Sequence, residues 1–67
     1  MERKAVIEPG TIKVMKQGYG SASRYFDLDS SADQYTDAAL LAWAGAGYFG
    51  GAVDRYGSVV VVRVYAS

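Results

Sequence analysis

Apolar and polar residues alternate along the first part of this chain, and the alternation breaks once, just after Asp29. "KAVIE", Lys4 to Glu8, reads as a short strand ended by Pro9-Gly10, a pair suited to a turn because proline fixes φ and glycine accepts φ > 0. "TIKVMKQ" then places Ile12, Val14 and Lys16 on one face and Thr11, Lys13 and Met15 on the other, the pattern of a half-buried strand. "GYGSAS" supplies the residues of a reversal, and "RYFDLD" resumes the alternation with Phe26 and Leu28 together. Residues 11 to 29 therefore predict a β-hairpin.

Beyond Asp29 the period lengthens. Ser31 with Gln34 three places on fits a capping box, and Asp33 and Asp37 fall where negative charge complements a helix N-terminus. The predicted helix runs from Ser31 to the glycine pair at 50 and 51, with Gly45 and Gly47 each weakening it by about 1 kcal/mol relative to alanine. Ala38, Ala42, Ala46 and Gly50 form a stripe of small residues beside Leu41, Gly45 and Phe49, while Trp43 shares a face with Ala39 and Gly47, and Tyr48 with Leu40 and Ala44. "DRYG", Asp54 to Gly57, has the residues of a type I turn, and "SVVVVRVYA" is a β-branched run that wants burial on both faces. The elements follow in the order β-β-β-α-β. They predict one small α+β domain spanning 1–67, in two layers: an antiparallel hairpin plus a C-terminal strand against one Ala/Gly-rich helix.

Size changes how that helix is read. A 67-residue chain buries only about 60% of its unfolded surface, so its core is marginal. Without Cys or His it has neither disulfides nor the usual zinc ligands to supplement it. A partner subunit is the remaining supplement, and a homodimer is expected. Its surface is either the helix, through Ala38, Ala42, Trp43, Ala46, Tyr48 and Phe49, or the strand Val59 to Val64 extending one sheet into another. The 16 uncharged residues from Ala38 to Val53 fall short of the roughly 20 a membrane span needs. "MERKAVIEPG" reaches Glu8 and Pro9 after three apolar residues and reads as no secretory leader, so a cytoplasmic location is expected.

Candidate chemistry is sparse. Asp27, Asp29, Ser31 and Asp33 alternate as in a calcium loop, but Ala32 stands where that loop needs glycine and Ala38 where it needs a bidentate glutamate. "YFDLDSS" resembles the first motif of haloacid dehalogenase-type phosphatases, a resemblance that implies Asp27 as nucleophile and Asp29 as acid. It covers only these residues, lacks the Gly-Thr that should follow, and sits in a chain too short for that family's core. "GYGSASR" has the glycines of a phosphate loop without its Gly-Lys-Ser. No cofactor site and no catalytic set emerges.

The chain therefore reads as a non-enzymatic binding module acting through protein contacts, of the kind that serves phages or mobile elements as a small regulator or inhibitor. Six tyrosines suit such a surface. The alternative is single-stranded nucleic acid held by a basic, tyrosine-bearing hairpin, through Lys13, Lys16, Tyr19, Arg24 and Tyr25. The net charge of zero weighs toward protein, although five of the seven basic residues lie before Tyr25 and five aspartates follow in Tyr25 to Asp54.

Overall fold

The computed structural model describes residues 2–20, 23–47 and 50–65. Strand β1, Val14–Tyr19, and strand β2, Ser23–Asp29, form the expected hairpin. A 3-10 helix, Ser30–Gln34, and a short helix α1, Asp37–Trp43, lead to a second hairpin of β3, Gly51–Tyr56, and β4, Val59–Tyr65. The four strands make one antiparallel sheet in the order β1-β2-β4-β3, with the helical segment packed on one face. The α+β class and its two layers are as the sequence predicts.

Several details differ, each for a local reason. The Val14–Leu28 and Lys16–Asp27 pairings leave Met15 as the extra residue of a bulge. Val14 and Lys16 consequently lie on opposite faces instead of sharing one. "KAVIE" is not a sheet strand: its one ladder contact is a parallel bridge from Lys4 to Tyr35, and the fourth strand comes instead from Gly51–Tyr56. Asp54, Arg55 and Tyr56 are thus strand residues, and the reversal falls at Gly57-Ser58, where Gly57 has φ +64°. A positive φ at the first loop residue matches the twist of a two-residue hairpin better than the type I turn that "DRYG" suggests.

Among the described residues, the predicted helix from Ser31 to Gly50 is represented by two short pieces, Ser30–Gln34 and Asp37–Trp43. Asp29, not Ser31, caps the 3-10 helix by accepting from the Ser31 N–H, and Thr36 caps α1 by accepting from the Ala39 N–H at 3.1 Å. At the far end Gly45 takes φ +77°, its N–H donates to the Ala42 carbonyl, and the Ala46 N–H reaches back to the Leu41 carbonyl at 3.0 Å. This is a Schellman motif, which ends a helix by satisfying its last carbonyls. Gly45→Ala places a Cβ in a left-handed conformation and is expected to cost about 1 kcal/mol, read as a lower midpoint in urea at unchanged slope.

This early stop dismantles the predicted stripe. Ala38 and Ala42 are exposed on α1, but Ala46 lies past its end and is buried in the core. The strand alternative fails on topology, since β4 already has β2 on one side and β3 on the other and offers no free edge. The core lies between sheet and helix. Phe26 and Leu28 of β2 oppose Val62 and Val60 of β4, and Leu40, Ala44 and Ala46 close over them with Ala32 and Tyr35.

Candidate functional site

An apolar cleft of about 270 Å³ lies between the N-terminal segment and α1. Its walls are Ala5, Val6 and Ile7 on one side and Ala39, Ala42 and Trp43 on the other. Helical spacing puts 39, 42 and 43 on one face, and two alanines there leave a hollow where larger side chains would have filled it. Trp43 stands at its edge, held by an edge-on contact with Phe26 at 5.3 Å between ring centroids.

The opposite wall is anchored at both ends. The Lys4 N–H donates to the Gln34 carbonyl at 2.7 Å, and the Thr36 N–H donates to the Lys4 carbonyl at 2.8 Å. After the cleft the chain reverses at Pro9-Gly10, where the Thr11 hydroxyl and N–H both donate to the Glu8 carbonyl. Between these anchors Ile7 packs on the core while Val6 is 76% exposed, so the rim is apolar and wet. The volume lies below the range of about 300–1,000 Å³ usual for small-molecule pockets, and no charged side chain lines it. Such a hollow suits one large apolar side chain from a partner's surface.

The cleft joins two of the predicted interface residues, Ala42 and Trp43. Ala38 is exposed on the same helix without lining the cleft, Ala46 is in the core, and Tyr48 and Phe49 lie outside the described residues. Sequence reasoning missed Ala5, Val6 and Ile7 as a binding wall: their apolar run beside a turn reads as a short strand.

The basic hairpin set is divided. Lys16 and Tyr25 lie on the sheet face away from the helix, with the Tyr25 ring over Gly18 in the space a Cβ there would occupy. Tyr19 and Arg24 pair on the helix side, where the Arg24 guanidinium reaches the Ala44 carbonyl at 3.4 Å; Lys13 is exposed just ahead of β1. Bases and tyrosines therefore do not form one continuous track. The outer face also carries Asp27 and Asp54, the latter paired with Arg63 at 2.6 Å.

The carboxylates of the calcium-like run are engaged separately. Asp29 caps Ser31, Asp27 sits on the outer sheet face between Lys16 and Val61, and Asp33 accepts from Arg55 at 2.6 Å and from Arg3 at 3.4 Å. Arg55 also donates to the Tyr35 carbonyl at 2.9 Å and to Asp37 at 2.5 Å. The hydrogen bond from Arg55, with help from Arg3, holds the Asp33 carboxyl below its ordinary value. Asp33 is then ionised at neutral pH, and the group is a clasp joining β3 to both helical pieces. No protein-family model, curated protein or solved structure matches this chain.

Proposed function

We propose that the protein is a binding module that engages another protein by receiving an apolar side chain in the cleft between Ala5–Ile7 and α1. The observation that supports this reading is the cleft itself: concave, apolar on both walls, and edged by a tryptophan and an exposed valine. A buried aromatic or aliphatic anchor in such a pocket carries most of the energy of a small interface. The division of Lys16 and Tyr25 from Tyr19 and Arg24 removes the continuous basic and aromatic track that single-stranded nucleic acid would follow.

Ala42→Glu tests the proposal, because it sets a charge into the hollow from an exposed helix position and leaves the core untouched. A partner captured by the wild-type protein, purified and titrated against both forms, is expected to bind the variant at least tenfold more weakly, as about 1.4 kcal/mol or more is lost. Equal binding of the two forms would place the contact elsewhere.

A further inference from the structure

Among the described residues, strand β1 is held from one side only: it pairs with β2, has no strand on its other side, and has no side chain in the core. Val14, Met15 and Tyr19 are three of the exposed large hydrophobics of the chain. The other sheet edge, β3, differs. All its side chains but Tyr56 are half-buried, and Arg55 projects onto the helix side, where it is tied to Asp33 and Asp37. An inward-directed charge discourages strand addition at an edge. On β1 the bulge lies at the N-terminal end, between Val14 and Lys16, and the pairing from Lys16 to Tyr19 is regular.

The direction of the free backbone groups follows from the ladder. The Gly20 N–H donates to the Ser23 carbonyl at 2.6 Å, and pairing continues through Tyr19–Arg24, Gly18–Tyr25 and Gln17–Phe26. Hydrogen-bonded and non-hydrogen-bonded pairs alternate in an antiparallel ladder. The N–H and C=O of Gly18 and Gly20 therefore point into the sheet, and those of Gln17 and Tyr19 point out to the open edge.

We infer that this edge pairs with β1 of a second copy, antiparallel about a two-fold axis at Gly18, to make one continuous eight-stranded sheet. In that register Gln17 opposes the second copy's Tyr19 and the converse, so the outward groups of both residues in both copies are satisfied. Lys16 then opposes the second copy's Gly20. The two Lys16 side chains stand four residues apart along the strands, about 13 Å, which exceeds the screening length of about 8 Å at physiological salt. A net charge of zero adds no long-range repulsion between copies. The Gln17 amide already donates to the Tyr19 hydroxyl within one chain at 3.0 Å, so the side chains that meet across the axis are a compatible pair. The two-fold closes the assembly and leaves β3 as its outer edge. The cleft and this edge share no residue, so each can be lost without the other.

Hydrogen exchange on the intact protein, with sedimentation equilibrium at micromolar concentration, tests the pairing. A dimer is expected in which the Gln17 and Tyr19 amides exchange as slowly as those of Gly18 and Gly20. Gln17→Pro removes the outward backbone donor, which an edge strand tolerates, together with the exposed side-chain bond to Tyr19. It leaves the bonds to β2 intact and is expected to return the protein to 7.2 kDa with the β1–β2 amides still protected. A species of 7.2 kDa unchanged by a tenfold rise in concentration overturns the inference. So does a dimer whose Gln17 and Tyr19 amides exchange rapidly, since another surface would then hold it. Should Gln17→Pro fail to fold, the exchange pattern of the wild-type protein decides alone.

Discussion

Leu40→Ala is expected to cost about 3 kcal/mol, as truncations of fully buried leucine do, and to lower the thermal midpoint by roughly 12–24 °C in a domain of this size. Leu40 has no exposed surface and is the one buried residue of α1. A helix of seven residues is too short to persist alone, because the ordering of its first turn is repaid by few hydrogen bonds. It stays folded by docking Leu40 into the core against the sheet. Losing that anchor also frees one wall of the cleft, since Ala39, Ala42 and Trp43 are carried on the same short element. Near-ultraviolet circular dichroism of Trp43 and far-ultraviolet signal from the sheet, followed together through a thermal scan, check this. Unaltered stability would mean that α1 is held by its caps and by Arg55 instead of by packing.

The hairpin and the C-terminal strand were legible because their signals are local. Phe26 and Leu28 alternate with polar residues, and "VVVV" admits no amphipathic helix; both segments became neighbouring central strands. The helix was over-read because composition says where a helix is possible and says less about where it ends. Gly45 looked like a weak helix residue, yet its use is to take positive φ and close a Schellman motif, after which the chain is free to form β3. The pairing of β3 was hidden for a different reason, since between the glycine pair and the turn read at "DRYG" only Ala52 and Val53 are left, too few to signal a strand. At the cleft, the helix wall was legible from Trp43 and Ala42. The other wall depends on Lys4 meeting Tyr35, a contact across 31 positions that no local pattern announces.

Arg55→Ala is expected to cost about 2 kcal/mol, the scale for charged groups that lose hydrogen bonds in a partly buried setting. The residue was unremarkable in sequence, inside an apparent turn. In the fold its side chain is only 20% exposed and donates to Asp33, Asp37 and two backbone carbonyls, joining edge strand β3 to both helical pieces. Arg55→Lys is expected to recover only part of the loss, because an ammonium cannot span the two carboxylates as a planar fork does. The variant also has a pH signature. The Asp33 carboxyl is held below its unfolded value of about 3.9, chiefly by the hydrogen bond from Arg55. A depressed carboxyl stabilises the fold above the unfolded value and ceases to do so as pH falls through the folded one. The stability gap between wild type and Arg55→Ala is therefore expected to be full at pH 7, to hold down to about pH 4, and to narrow below that as Asp33 takes up its proton. Urea unfolding of both proteins between pH 7 and pH 2 measures the gap, and a gap that stays constant to pH 2 would show that Arg55 acts through packing and the carbonyls, with no contribution from the charge of Asp33.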